Sequence, residues 1–122
     1  MNQERLRADI HAIVADRAVL QKTIYYGELV DTLKRMDPES YDWNLMPHYR
    51  FFHELLGDIS GRTLEKQGFA LTALVIGKGS GLPGESFLEW GMNEQWPHYE
   101  EGAKAMIAEQ QRLAFKHYRI DR

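Results

Sequence analysis

The sequence contains no cysteine. A chain without cysteine cannot form a disulfide framework and cannot hold a metal ion through thiolates. The opening residues, MNQERLRADIHAIV, mix charged and apolar side chains in a pattern typical of an amphipathic helix rather than of a secretory signal. These features fit a reducing compartment, and we expect the protein to be cytoplasmic.

Long apolar runs and a surplus of basic residues are also missing. No run approaches the roughly 18 residues that a transmembrane helix needs, so we expect no membrane partner. The 15 Lys and Arg side chains stand against 18 Asp and Glu, which gives a net charge of −3 at pH 7. Proteins that neutralise phosphates usually carry a basic excess, so this composition does not favour nucleic acid as the partner.

The chain does contain enough apolar residues for one hydrophobic core. Its 122 residues are 43% hydrophobic and 27% charged, which are ordinary values for a globular domain. A chain of this length buries roughly two-thirds of the surface that its unfolded form exposes. We therefore expect residues 1–122 to form a single domain.

The spacing of the apolar residues predicts a mainly helical α+β fold. Two short runs rich in strand-forming or aromatic residues, 70–76 and 86–90, are expected to pair as a small antiparallel β-hairpin with a long loop. This order of elements also suits a winged-helix domain. Helical periodicity predicts about four helices, at residues 3–17, 28–36, 47–66 and 97–118, and Gly68 is the expected stop of the third.

Several fragments match part of a catalytic or cofactor-binding motif, but none is complete. Residues 79–84 satisfy GxGxxG, yet Pro83 and a strand-like segment stand where a dinucleotide site needs a helix. His53 begins an HExxH pattern in which Gly57 replaces the second histidine. We therefore predict a non-enzymatic protein without cofactor or metal, and leave open that folding gathers some of its 5 histidines into a site.

The strongest local asymmetry is an acidic, aromatic segment. No lysine or arginine lies between Lys78 and Lys104. Acidic side chains around large aromatic ones can steer and then anchor a basic partner, as the inhibitor of a nucleic-acid-binding toxin would. The same residues also fit a structural role, with Trp90 and Trp96 as core or cap residues and the carboxylates in a solvated loop and at a helix N-terminus. The predicted partner-binding residues are Glu85, Glu89, Glu94, Trp96, Glu100 and Glu101.

Two short motifs resemble those of a group of small, uncharacterised bacterial and phage proteins. The first is the Tyr26-Gly27-Glu28-Leu29 stretch at a helix start, and the second is the strand at 71–76 followed by the Leu-Pro-Gly-Glu loop at 82–85. The resemblance covers roughly residues 5–90 and implies no activity. Our first hypothesis therefore remains a protein of the immunity or antitoxin type that binds a basic protein partner.

A more distant similarity is to the winged-helix domain of alkyltransferase-like DNA proteins. In those proteins a Tyr-Gly-Glu-Leu stretch also opens a helix before the recognition helix and wing. This chain lacks the cysteine of their Pro-Cys-His-Arg site, so alkyl transfer is excluded. The alternative hypothesis is thus a nucleic-acid-binding protein whose contacts come from the third predicted helix, through His48, Arg50, His53, Arg62 and Lys66.

Overall fold

The computed structural model describes residues 3–119. Its first helix carries an apolar residue at every fourth position, and these residues, Leu6, Ile10 and Val14, form its buried stripe. Four of the helices in this part of the chain overlap those predicted from the sequence, and a fifth replaces a predicted strand. The five α-helices of the described residues are α1 (Gln3–Val19), α2 (Tyr26–Met36), α3 (Arg50–Gln67), α4 (Glu85–Asn93) and α5 (Ala103–Tyr118).

The core is organised around the segment 69–76, which packs against α1, α3 and α5. Phe69, Leu71 and Leu74 are completely or almost completely buried. Gly68 ends α3 with a left-handed φ of 84°, a conformation that glycine adopts without strain. The helix stop expected at this glycine is therefore confirmed, and it directs the chain into the core.

The predicted strand at 70–76 is mostly a 3-10 helix, Leu71–Leu74. Side chains, rather than a neighbouring strand, satisfy its first backbone amides. The amide of Ala70 donates to Gln110 Oε1 at 2.8 Å, and the amide of Leu71 donates to Thr63 Oγ1 at 3.0 Å. The amide of Thr72 donates to Ser60 Oγ at 2.8 Å. With these donors satisfied by α3 and α5, the segment coils instead of extending.

The sheet found in residues 3–119 is parallel. It consists of β1 (Ile24–Tyr25) and β2 (Val75–Ile76), with Ile24 opposite Val75. Parallel strands need a long crossover connection, which α2 and α3 supply here. The predicted antiparallel hairpin is therefore wrong.

The predicted strand at 86–90 is also wrong, because this segment belongs to α4. The amide of Leu88 donates to the carbonyl of Gly84 at 3.2 Å, which closes the first helical turn. Phe87 and Trp90 stand three residues apart, so a helix places both rings against Trp96. No wing forms at this position, and the prediction of a winged-helix-like α+β fold with about four helices does not hold.

The long C-terminal helix begins later than the sequence predicts. Gly102 has a φ of 111° and separates α5 from a 3-10 helix, Tyr99–Glu101. Glu100 and Glu101 therefore lie in a separate turn and not in the first turn of α5. α3 also begins after its predicted start, because Pro47 lies in the 3-10 helix Met46–His48.

None of the helices within residues 3–119 combines the length and the apolar character that crossing a membrane requires.

Candidate functional site

A cleft with a volume of about 170 Å³ lies between α3 and α4. α2 contributes Tyr26 to its lining, and α3 contributes His53, Leu56 and Gly57. The segment 83–90 supplies the opposite wall. Sites that hold drug-sized ligands usually measure at least about 300 Å³. This cleft therefore matches a single side chain or a similarly small group.

The two motifs on which the resemblance rests meet at this cleft. Tyr26 comes from the Tyr-Gly-Glu-Leu stretch, and its hydroxyl group forms a hydrogen bond with the backbone of Gly84 in the Leu-Pro-Gly-Glu loop. A Cβ added to Gly84 would lie 3.5 Å from the same hydroxyl oxygen. Burial raises the pKa of Tyr26, so the phenol stays protonated at neutral pH.

The other motif residues hold Tyr26 in place. Glu28 Oε1 accepts a hydrogen bond from the amide of Tyr25 at 3.2 Å, which caps the start of α2. Glu28 Oε2 accepts from Arg17 Nη2 at 2.7 Å, and this bond is the main cause of a lowered Glu28 pKa. Leu29 is fully buried. The motif therefore anchors one end of α2 and presents its tyrosine to the cleft.

Two polar side chains of the cleft already donate a hydrogen bond to a backbone carbonyl of the protein. His53 Nε2 lies 2.7 Å from the carbonyl oxygen of Pro47, and because a carbonyl only accepts, the imidazole must donate from Nε2. Nδ1 is then an acceptor in the neutral ring. The hydroxyl of Thr72 donates to the carbonyl of Leu56 at 3.1 Å and also contacts the hydroxyl of Ser60.

Gly57 leaves space between α3 and the opposite wall. A Cβ built at this position has no side-chain or loop atom within 4 Å. Gly61, one turn further along the same helix, is equally open but does not line the cleft. The pair offers one variant that narrows the cleft and a matched control that leaves it unchanged.

The α4 wall is an aromatic cluster in which Trp90 is half-buried and Trp96 is 5% exposed. The Trp90 and Trp96 ring centroids are 4.9 Å apart, and Phe87 packs edge-on against both rings. Beneath them, a Cβ on Gly91 would lie 2.6 Å from Trp96 Cε3. Trp96 thus fills the space over the α4 backbone and supports Trp90, which lines the cleft.

The predicted acidic residues occupy exposed positions near this wall. Glu85 and Glu89 are one turn apart on α4, and Glu94 follows its end. Glu101 instead contacts His98 Nδ1 at 3.0 Å, and Glu100 accepts a hydrogen bond from the Tyr99 hydroxyl at 3.3 Å. The structure therefore places Glu85 and Glu89 on α4, the helix that forms one wall of the cleft, although neither lines it, and places Glu100 and Glu101 in a separate turn.

The residues proposed for nucleic acid contact lie on α3 or just before it, and most are engaged with neighbours. Arg50 pairs with Glu54 at 3.0 Å, and Arg62 lies 3.5 Å from a carboxylate oxygen of Asp58. His53 belongs to the cleft instead. The remaining two, His48 and Lys66, are exposed near opposite ends of α3.

Sequence reasoning did not single out Tyr26, Gly57, Ser86 and Trp90 as site residues, although all of them line the cleft. The sequence feature that could have indicated the cleft is the presence of two separate motifs in one short chain, since such motifs can come together in the folded protein. Within residues 3–119, no three His, Asp or Glu side chains converge as a metal ion would require.

Comparison of this chain with protein-family models, with curated proteins and with solved structures finds no match.

Proposed function

We propose that this chain is a non-enzymatic protein-binding module of the immunity or antitoxin type, which binds a basic partner through α4 and the turn that follows it. The observation that carries the proposal is the state of Glu85, Glu89 and Glu94. All three side chains are exposed, and none of their carboxylates makes an ion pair or hydrogen bond with another residue of the range 3–119. Unpaired carboxylates on one surface attract a basic partner and speed its association.

Trp90 is the proposed aromatic anchor of this surface. Tryptophan is enriched among the few residues that supply most of the energy of protein interfaces. Trp90 lines the cleft and is half-buried in the free protein, so a partner can cover its remaining surface. Trp96, which the sequence suggested as a contact residue, contributes indirectly by packing against Trp90.

Glu100 and Glu101 form the outer part of the proposed surface. Their contacts with Tyr99 and His98 already compensate part of their charge. We therefore expect their replacement to weaken association less than replacement of Glu85 and Glu89. The absence of cysteine supports the cytoplasm as the proposed compartment of the complex.

The test begins with purification of the tagged protein from its host, in low salt and after nuclease treatment, to obtain the partner in pure form. The association rate is then measured for the wild type, for the Glu85→Lys/Glu89→Lys variant and for a control that carries Glu39→Lys and Glu65→Lys. Both control positions are exposed and lie outside α4.

We expect the α4 variant to associate at least about tenfold more slowly and to lose most of the salt dependence, because charge complementarity acts mainly on the association rate. The control should associate like the wild type. Equal rates for the two folded variants would refute the proposal, and recovery of a nuclease-protected nucleic acid fragment in place of a protein would favour the alternative contacts on α3.

A further inference from the structure

We propose that the cleft binds the guanidinium group of one arginine side chain presented by the basic protein partner. This inference rests on the proposed function and assigns the chemistry of its central contact. It concerns the cleft itself, whereas the proposed function concerns the exposed carboxylates beside it.

The walls of the cleft are rich in aromatic rings. Tyr26 and His53 lie on one side with their ring centroids 6.0 Å apart, and Phe87 and Trp90 lie on the other with theirs 5.9 Å apart. A planar guanidinium group is attracted to aromatic rings, and to tryptophan most strongly. The apolar stem of an arginine side chain would pack against the same rings.

The polar atoms of the cleft suit a ligand that donates hydrogen bonds. Thr72 has committed its hydroxyl proton to the carbonyl of Leu56, and His53 has committed its Nε2 proton to the carbonyl of Pro47. With its proton on Nε2, the imidazole can still accept a hydrogen bond through Nδ1, whereas Thr72 is 2% exposed and its oxygen already contacts the Ser60 hydroxyl. A guanidinium group carries only donors, which matches this acceptor.

The charges around the cleft favour a cation. Glu85 directly precedes Ser86 on α4, and Glu89 directly precedes Trp90, and both of these neighbours line the cleft. No lysine or arginine is among the described residues that line it. An anionic ligand would find no cationic side chain in this lining, and α4, which forms one wall, carries Glu85 and Glu89 and no lysine or arginine.

The dimensions agree with one side chain as the occupant. The volume of about 170 Å³ is too small for a nucleotide or a folded element of the partner. Gly57 is responsible for part of this space, since no side-chain or loop atom lies within 4 Å of a Cβ built there.

The experiment is an NMR titration of the full chain with n-butylguanidinium, which represents the end of an arginine side chain. Its neutral analogue n-butylurea has nearly the same shape and serves as the comparison. The signals followed are those of the Trp90 indole and the Tyr26 ring. The variants are Gly57→Leu, which fills the cleft, and Gly61→Leu, which adds the same side chain to the same helix outside it.

We expect n-butylguanidinium to shift the Trp90 and Tyr26 signals with an affinity at least tenfold higher than that of n-butylurea. Gly57→Leu should abolish the shifts, and Gly61→Leu should leave them unchanged. Equal affinities for the two compounds, or no shift of either signal in the wild type, would overturn the inference, and this comparison requires no variant.

The two proposals fail in different ways. If n-butylguanidinium binds while Glu85→Lys/Glu89→Lys leaves association with the partner unchanged, the proposed function is wrong and the cleft is a cation site of another kind. If association depends on these carboxylates while n-butylguanidinium does not bind, only the assignment of the cleft is wrong.

Discussion

Replacing Gln110 by methionine is expected to destabilise the protein because one buried backbone amide loses its hydrogen-bond acceptor. Gln110 Oε1 accepts the hydrogen bond of the Ala70 amide at 2.8 Å. Gln110 is 1% exposed and Ala70 is 0% exposed, so no water molecule can take the place of the lost acceptor. Methionine is unbranched and of similar length, which keeps the change in packing small.

The expected loss is about 1–3 kcal/mol in the free energy of unfolding, because a buried donor loses its acceptor without gaining another. The neighbouring residue provides the control. Gln111 lies on the same helix and donates through Nε2 to the carbonyl of Ala73 at 2.9 Å, but it is only half-buried. Water can replace this bond in Gln111→Met, and we expect a loss below about 1 kcal/mol.

Urea unfolding followed by tryptophan fluorescence measures both losses, since two of the three tryptophans, Trp43 and Trp96, are 5% exposed in the folded protein. The slope of the free energy against urea should be the same in both variants and the wild type, so that the midpoints report stability. Equal losses in the two variants would refute the argument that burial of the Ala70 amide sets the cost.

Two further predictions concern the turn and packing around α5. In Gly91→Ala, the new methyl group would lie 2.6 Å from Trp96 Cε3 and 2.7 Å from Met106 Cε. Urea unfolding should show a net loss of about 1–2 kcal/mol in the free energy of unfolding, because overpacking outweighs the gain in helix propensity. Unchanged stability would contradict this packing. His98 has a left-handed φ of 68°, and the hydrogen bond to Glu101 raises its pKa above 6.5. The contribution of His98 to stability is therefore present below pH 6.5 and is lost as the pH rises through the folded pKa. In that pH range the wild type should lose stability relative to His98→Asn. Parallel stability profiles of the two proteins against pH would contradict the ion pair with Glu101.

The long helices could be predicted because their sequences repeat at helical spacing. Leu6, Ile10 and Val14 in α1, and Met106, Ile107, Gln110 and Ala114 in α5, place one buried face toward the core. The ends were less predictable. Gly68 stops α3 as expected, whereas the start of α5 depends on Gly102, a glycine whose positive φ has no marker in the local pattern.

The two predicted strands failed for different physical reasons. Residues 70–74 are apolar enough for either a buried strand or a buried helical turn, and the choice depends on acceptors from Ser60, Thr63 and Gln110. These residues are remote in sequence, so their effect is invisible locally. The segment 85–93 does contain Phe87 and Trp90 at helical spacing, and a longer window would have favoured a helix there.

The acidic segment was recognised as a charge pattern, but the cleft beside it was not. A run of glutamates without lysine or arginine is visible in the sequence, and Glu85 and Glu89 are exposed in the structure. The cleft requires Tyr26, Gly57 and Trp90 to come together from α2, α3 and α4. No local rule predicts that meeting.

The sequence by itself determined the approximate positions of four helices, the stop at Gly68 and the acidic character of residues 85–101, because periodicity, backbone freedom and charge are properties of neighbouring residues. Only the tertiary structure decided which acceptors satisfy the amides of residues 70–72, which tryptophan stays accessible, and that two separate motifs line one cleft. Each of these depends on atoms brought together from distant parts of the chain, so the physical cause lies in packing.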